Sequence, residues 1–152
     1  MTPKPGIDYI GVAAGAMIFN HNGELFLAKR SQNVKNERGC WETPGGGVEF
    51  GETLEEAARR EILEEYGVEI EIVDTFPAVD HLIPAEGQHW VAVTFLATLK
   101  PDREPRIMEP EKCDEIGWFA LDALPTPLSI ITQVDLRLYR ARPAMDQENV
   151  ND

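Results

Sequence analysis

Residues 46–68 read GGVEFGETLEEAARREILEEYGV, a glycine-rich turn that leads into one amphipathic helix. Thr53 is a favourable N-cap residue, and Glu56 three positions later completes a capping box that predicts a helix start near Leu54. Gly67 supplies the left-handed conformation that commonly ends a helix. This stretch therefore predicts a helix whose two ends are defined by its own residues.

The inner face of this helix changes from apolar to acidic along its length. At about 100° per residue, one side carries four apolar residues, namely Leu54, Ala57, Ala58 and Ile62. Glu61, Glu64 and Glu65 fall within an arc of roughly 100° on the same side. A carboxylate that faces a core without a cation loses its hydration, so these acids indicate a bound hard cation such as Mg²⁺. The alternative is a solvated acidic helix end.

The same stretch resembles the signature of the Nudix hydrolases at every position. The signature runs from Gly46 over five residues to Glu52, over seven residues to Arg60-Glu61-Ile62, and on to Glu64-Glu65 and Gly67-Val68. The resemblance implies an α/β fold, the Nudix-type α/β/α sandwich with a mixed sheet, whereas element order alone predicts only an α/β or α+β protein. It also implies that Glu61, Glu64 and Glu65 hold Mg²⁺, with Mn²⁺ as a substitute, for cleavage of a phosphoanhydride bond.

Three residues in and beside the signature receive further roles from this resemblance. The carbonyl group of Gly45 is expected to join the metal shell. Glu52 and Arg60 are expected to pair and to brace the loop against the helix. The sequence also permits a surface pair between Glu56 and Arg60, which would contribute only about a few tenths of a kcal/mol. We predict the brace between Glu52 and Arg60.

Two basic residues close the second predicted strand, just before the loop that leads to the signature. Lys29 and Arg30 are either solvated residues at a strand end or phosphate contacts. The resemblance implies the second role, and the planar guanidinium of Arg30 is suited to bidentate binding of a phosphate.

The segment EPEKC at positions 109–113 and the following pair Trp118-Phe119 resemble the corresponding part of MutT-like members that cleave nucleoside triphosphates. The resemblance implies that a glutamate of this loop reaches the site. Glu111 is the first candidate, ahead of Glu109 and Glu115. Trp118 is either a core aromatic residue or a platform on which a substrate base stacks.

Composition describes one globular domain. The chain has 152 residues, 43% hydrophobic and 27% charged, and we predict a single domain over 1–142 and a disordered tail over 143–152. The formal charge of −13 argues against a nucleic-acid polymer as partner. Apolar runs are too short for a membrane span and the two cysteines form no disulfide framework, so we expect a cytoplasmic location. Analogy with dimeric relatives allows a homodimer.

Strands are predicted on both sides of the signature. They cover residues 9–19, 24–30, 41–44, 69–73 with an extension to 83, 89–99 and 116–119. A second helix is predicted over residues 128–141, with a packing face formed by Leu128, Ile131, Val134 and Leu138.

These observations favour a Mg²⁺-dependent hydrolase that acts on a small nucleotide, converting a (deoxy)nucleoside triphosphate to the monophosphate and pyrophosphate. A second hypothesis is a pyrophosphatase for ADP-ribose or a nucleotide sugar, because Pro84 lies sixteen residues after Val68, a spacing that resembles that subgroup. A third hypothesis is a nucleotide sensor without catalysis, which the intact set of signature acids disfavours.

Overall fold

The computed structural model describes residues 1–143, which form an eight-stranded sheet flanked by two helices. The strands are β1 (Gly11–Phe19), β2 (Leu25–Arg30), β3 (Trp41–Glu42), β4 (Gly45–Gly47), β5 (Ile70–Thr75), β6 (Val79–Ile83), β7 (Gln88–Leu99) and β8 (Cys113–Phe119). The helices are α1 (Leu54–Tyr66) and α2 (Ile130–Arg140). Apart from Pro143, the predicted tail lies outside the described residues.

The sheet is organised around β1. This strand runs parallel to β7 over nine residue pairs, from Gly11 opposite Trp90 to Phe19 opposite Thr98. Its other edge pairs antiparallel with β4 and, at Phe19, with the start of β2. The remaining strands join through antiparallel pairs, β3 and β8 to β2 and β5 and β6 to β7. The predicted mixed sheet is therefore confirmed.

Side chains of β1 alternate between two cores. Ala16 and Ile18 pack in the cluster that contains Ile62 of α1, and the neighbouring Met17 and Phe19 pack in the cluster that contains residues of α2. Because successive side chains of a strand point to opposite faces, the two helices cover opposite faces of the sheet. The fold is the predicted α/β/α sandwich.

The ends of α1 follow the local signals. The side chain of Thr53 accepts from the backbone N–H of Glu56, whose own carboxylate accepts from the N–H of Thr53, and Gly67 ends the helix at φ 70°. The buried stripe differs at its edge, because Leu54 keeps 36% of its surface exposed. Tyr66 takes its place at the other end and packs edge-on against Phe26, with ring centroids 5.0 Å apart.

Helix α2 buries a different face from the one predicted. The expected residues Leu128, Ile131, Val134 and Leu138 are only partly buried, and the most buried positions are Thr132, Asp135, Leu136 and Tyr139. The buried set also has helical spacing but contains polar groups, so a search for apolar residues misses it. Hydrogen bonds to neighbouring hydroxyl and amide groups allow these polar residues to be buried.

Several predicted strands differ in extent, and the strand expected over 41–44 is reduced to Trp41–Glu42. The strand expected over residues 69–83 is divided into β5 and β6, and the strand expected over 116–119 begins earlier, at Cys113. The segment around Pro84 forms a 3₁₀ turn over Pro84–Glu86, which Gly87 ends in a left-handed conformation at φ 62°. Within residues 1–143, neither helix has the length and apolar character that crossing a bilayer requires.

Candidate active site

A charge-assisted pair ties the loop before α1 to the helix. Arg60 donates from Nε to Oε2 of Glu52 at 2.6 Å and from Nη2 to Oε1 at 2.9 Å. Nη2 also donates to the carbonyl oxygen of Gly47 at 3.1 Å. These bonds hold the pKa of Glu52 down at about 2, helped by the N–H of Glu49, and they raise the pKa of Arg60. The structure thus contains the predicted brace, and Glu56 is instead engaged in capping the helix.

Arg60 also reaches two of the signature acids. Its Nη1 lies 3.0 Å from Oε1 of Glu61 and 3.3 Å from Oε2 of Glu64. The side chain of Glu61 keeps only 16% of its surface exposed, whereas that of Glu64 keeps 57%. The expectation that all three acids face inward is therefore wrong for Glu64, because its position on the helix leaves it in solvent beside the guanidinium of Arg60.

The glycine strand β4 lies directly against Glu61. A Cβ atom built on Gly46 would come within 2.6 Å of Oε1 and 2.7 Å of Oε2 of that carboxylate, which no real side chain tolerates. Gly45 is confined on another side, since a Cβ there would lie 2.7 Å from Cα of Gly15 on β1. Glycine at position 46 allows the backbone of β4 to approach the Glu61 carboxylate, and glycine at position 45 allows β4 to approach β1.

Glu65 lies beside Glu61 at the inner end of α1. Burial, followed by the negative charge of Glu61, raises the pKa of Glu65 well above the usual value for a glutamate. Within residues 1–143 the side chains do not form a ready-made cluster of three metal-ligating groups. Glu61, Glu65 and the Gly45 carbonyl are nevertheless oxygen donors of the kind Mg²⁺ prefers, and a cation between the two acids would relieve their repulsion. The residues present therefore fit a divalent cation.

A cavity of about 530 Å³ opens beside these acids. It is lined by β2, the loop over 33–36, the end of α1 and the segment 109–113. Its walls carry the basic residues Lys29, Arg30, Lys35 and Lys112 together with the acidic residues Glu42, Glu65, Glu109 and Glu111. Basic side chains can bind phosphate oxygens, and the neighbouring acidic side chains can bind divalent metal ions. The cavity wall is therefore suited to a phosphate substrate that binds together with such ions.

Arg30 lines this cavity but is already engaged. Its Nη1 donates to both carboxylate oxygens of Glu42 at 3.1 Å, and its Nη2 and Nε donate to the side chain and backbone oxygens of Asn36 at 2.8 and 3.0 Å. Burial raises the pKa of Glu42 to about 7 although Arg30 opposes the rise. The sequence analysis missed Glu42, because only the pairing of β2 with β3 brings it beside Arg30.

The segment 106–113 is fixed across the open end of the site. Backbone N–H groups of Arg106 and Met108 donate to the carbonyls of Tyr66 and Glu65, each at 3.0 Å. On the other side, the hydroxyl of Ser31 donates to the carbonyl of Glu111 at 2.6 Å. Side chains of this segment are thereby held in the wall of the cavity.

The candidate site residues of the segment 109–118 lie partly in the cavity wall and partly in the core. Glu111 and Glu109 line the cavity, and Glu109 also pairs with Lys112, which the sequence analysis did not single out, at 3.3 Å. Glu115 lies on β8 opposite Lys29. Trp118 packs edge-on against Phe26 in the core on the α1 side, with ring centroids 5.4 Å apart. The packing role considered for Trp118 is thus the one that the structure displays.

A second cavity of about 140 Å³ lies on the α2 side of the glycine strand and shares Glu42 and Gly45 with the first. Part of its lining consists of small residues, Ala13, Ala14, Gly15 and Ala92. Asp135 and His81 supply polar groups. In the described part of the chain, the buried Nδ1 atom of His81 has no hydrogen-bond partner.

Comparisons with known proteins agree with this geometry. Residues 10–140 match the family model described as the NUDIX domain. The chain is 31% identical over 147 residues to an RNA pyrophosphohydrolase of Erythrobacter litoralis, with 84% of this chain and 85% of that protein covered. It is 32% identical over 153 residues to an RNA pyrophosphohydrolase of Rickettsia bellii, with 91% and 86% covered.

A solved structure shows a similar fold. The MutT NUDIX hydrolase from Burkholderia pseudomallei superposes with a TM-score of 0.77 at 42% sequence identity, covering 84% of this chain and 96% of that chain. The family model, these relatives and the arrangement of carboxylates around a glycine strand agree on one assignment. The chain belongs to the Nudix family and is a hydrolase that acts on phosphoanhydride bonds.

Proposed function

We propose that this hydrolase converts a (deoxy)nucleoside triphosphate to the nucleoside monophosphate and pyrophosphate. The observation that carries the proposal is the cavity of about 530 Å³, in which basic side chains stand in the same walls as Glu65 and Gly45. The 42% sequence identity between this chain and a MutT hydrolase supports a nucleotide substrate.

The residues of the site have different roles in hydrolysis. Glu61, Glu65 and the Gly45 carbonyl would hold Mg²⁺, and Glu64 joins them only if it turns away from Arg60. A divalent cation held by these oxygens would supply positive charge against the phosphates and would make a water molecule more acidic. A signature carboxylate accepts the proton of the attacking water. Lys29, Arg30 and Lys112 contact phosphate oxygens, and Arg60 keeps the acids in place through Glu52.

The second cavity is the natural place for the base. Its small residues offer apolar contacts to a planar ring, and the unpartnered Nδ1 atom of His81 supplies a polar group among the described residues. Because Glu42 and Gly45 line both cavities, we place the phosphates beside the signature acids and the base on the other side of β4. This placement assigns base recognition to neither Trp118 nor Phe119.

A second candidate substrate is the triphosphate at the 5′ end of an RNA. The RNA pyrophosphohydrolases that are 31–32% identical to this chain favour it, because the bond cleaved would be the same. The net charge of −13 opposes it, since an RNA extending from the site would meet an acidic surface. Pro84 gives little support to ADP-ribose or nucleotide sugars, because it begins an ordinary 3₁₀ turn.

A substrate panel tests the proposal. Phosphate is measured after incubation with dNTPs, NTPs, ADP-ribose, nucleotide sugars or a 5′-triphosphorylated RNA oligonucleotide. Added inorganic pyrophosphatase reports pyrophosphate released from the triphosphates. Added alkaline phosphatase is used only with ADP-ribose and nucleotide sugars, whose diphosphate is blocked at both ends until it is cleaved to phosphomonoesters. We expect Mg²⁺-dependent release from one or more nucleoside triphosphates, reported by pyrophosphatase. Preference for the RNA, or cleavage of only ADP-ribose or nucleotide sugars, would overturn the proposal, and Glu65→Gln serves as the inactive control.

A further inference from the structure

A buried polar cluster lies beneath the glycine strand, between the sheet and α2. The hydroxyl of Thr43 donates to Oδ2 of Asp135 at 2.8 Å, and the hydroxyl of Thr94 donates to Oδ1 of the same carboxylate at 2.8 Å. The backbone N–H of Thr43 donates to the hydroxyl oxygen of Thr132 at 2.8 Å, and the hydroxyl of Ser129 donates to that oxygen at 2.8 Å. All five residues are buried.

Asp135 is the member whose chemistry calls for an explanation. Only 1% of its surface is exposed, and both of its hydrogen bonds come from neutral hydroxyl groups. A carboxylate held in this way loses hydration without the compensation of a cation. Its two oxygens join different parts of the sheet, one through Thr43 to the segment that carries β4 and the other through Thr94 to β7. The carboxylate is therefore a connector between α2 and two strands.

Thr43 stands two residues before Gly45. On the β1 side, the carbonyl of Pro44 accepts from the N–H of Ala16 at 3.0 Å, and Gly45 lies so close to Gly15 that no Cβ would fit. On the α2 side, Thr43 and its bonds to Asp135 and Thr132 hold the same segment. The segment that leads into Gly45 is thus held from both sides.

We propose that Asp135 is a positioning residue that acts through Thr43 to hold the Gly45 carbonyl where it, Glu61 and Glu65 bind a divalent cation together. The inference rests on the proposed function, because it takes those oxygens as the metal shell. It assigns to α2, on the opposite face of the sheet from α1, an influence on metal affinity that passes through Thr43. A contact between Asp135 and the substrate base would change the KM for the nucleotide but not metal binding in its absence.

Two matched substitutions separate the connector from ordinary packing. Thr43→Val and Thr94→Val each remove one hydroxyl donor to Asp135 and replace it with a methyl group of similar size. Thr43→Val also removes the 3.2 Å contact between the hydroxyls of Thr43 and Thr132. Mn²⁺ binding is measured by isothermal titration calorimetry without substrate, and the Mg²⁺ concentration for half-maximal activity is measured alongside it. We expect Thr43→Val to weaken both values roughly five-fold, as the loss of one hydrogen bond allows, and Thr94→Val to leave both within about two-fold.

Asp135→Asn and Asp135→Ala provide a second comparison that remains informative if a valine variant does not fold. An amide keeps contacts to both hydroxyls, so Asp135→Asn should retain nearly wild-type Mn²⁺ binding while Asp135→Ala weakens it. The inference would be overturned if Thr43→Val and Thr94→Val bound Mn²⁺ equally well, or if the two Asp135 variants did. The proposed function would remain supported in that case, provided that the wild-type protein shows Mg²⁺-dependent hydrolysis. Absence of metal binding and of hydrolysis in the wild-type protein would instead overturn the proposed function.

Discussion

Nε of Arg60 lies 2.6 Å from Oε2 of Glu52, so the helix that carries the signature acids is joined to the loop that precedes it. The same guanidinium reaches the Gly47 carbonyl and Oε1 of Glu61. Three structural parts of the site, the loop, the glycine strand and the helix, therefore meet at one side chain. The position of Glu61 relative to β4 depends on this meeting point.

Replacement of Arg60 by lysine should distinguish the effect of its positive charge from the effect of its hydrogen-bonding geometry. Lysine keeps the positive charge but offers one donor group, so it cannot contact Glu52, Gly47 and Glu61 together. We expect kcat at saturating Mg²⁺ to fall roughly ten-fold or more, because small displacements of catalytic groups are costly. Arg59→Lys is the control, since Arg59 bonds only to the Ile70 carbonyl among the contacts given by the structure. Equal rates for the two variants would contradict the prediction.

The three signature acids should differ in their importance. Glu61→Gln and Glu65→Gln are expected to lower turnover by roughly a hundred-fold or more with the fold intact, because each removes a charged oxygen that holds the cation. Glu64→Gln should have a smaller effect, since Glu64 is exposed and paired with Arg60. Steady-state rates at saturating Mg²⁺ and circular dichroism measure both quantities, with Glu55→Gln as control. Wild-type rates in the first two variants would refute the metal assignment.

Two adjacent glycines of β4 should respond differently to alanine. A Cβ on Gly46 would meet the Glu61 carboxylate, so Gly46→Ala must displace that side chain and is expected to reduce Mn²⁺ binding and turnover by roughly ten-fold or more. A Cβ on Gly47 would lie 3.7 Å from the nearest atom of Trp90, which is an ordinary contact. Gly47→Ala should therefore remain close to wild type, and a reversed order of the two effects would be incompatible with the site.

Stability should depend on pH through Asp135. Burial raises the pKa of this carboxyl from 3.8 to about 6, opposed by the hydrogen bonds from Thr94 and Thr43. The folded state therefore holds the proton more tightly, and the stabilisation is full below the unfolded pKa and lost as pH rises through about 6. Asp135→Asn removes this titration, so the loss of unfolding free energy between about pH 4 and about pH 7.5 should shrink by up to about 3 kcal/mol.

Urea unfolding at the two pH values measures this change. The exposed Asp122→Asn is the control, because it removes a carboxylate of the same kind from the surface. An unchanged pH dependence in Asp135→Asn would show that the buried carboxyl titrates as it does in the unfolded chain.

Arg30 should contribute to substrate affinity. Its bidentate pair with Glu42 holds the guanidinium in the wall of the large cavity, from which one donor can turn to a phosphate. We expect Arg30→Ala to raise the KM for a nucleoside triphosphate roughly ten-fold, as the loss of a charged hydrogen bond predicts. Arg38→Ala is a suitable comparison, since Arg38 is exposed and bonds to the Val34 carbonyl. A similar KM in both variants would remove Arg30 from the phosphate site.

Local signals were sufficient for α1 and its acids. Thr53, Glu56 and Gly67 act on backbone groups within a few residues of themselves, so the ends of the helix could be predicted without knowledge of the rest of the chain. The pairing of Glu52 with Arg60 was predicted from the resemblance to the Nudix signature, since the sequence by itself also permitted a pair between Glu56 and Arg60. Sequence could not predict that Glu64 turns outward, since an arc of roughly 100° includes both the core and its border.

Residues whose roles depend on contacts between distant strands could not be predicted from the sequence. Glu42 is on a strand of two residues, and its role became visible only through the neighbouring Arg30. The buried face of α2 has the spacing of a packing stripe in Thr132, Asp135, Leu136 and Tyr139, but two members are polar. Hydrophobic periodicity detects apolar faces only, so the connector beneath β4 gave no signal.

The parallel pairing of β1 with β7 has a consequence for the order in which the molecule assembles. It joins residues about eighty positions apart, such as Gly15 and Thr94. Contacts between distant residues form slowly compared with local ones, because a long loop must close first. Helix α1 has its own caps and can form early, yet β4 and its glycines need β1 in place. Because β7 ends at Leu99, the β1–β7 pair at the centre of the sheet can form only after the chain has been synthesised to that residue.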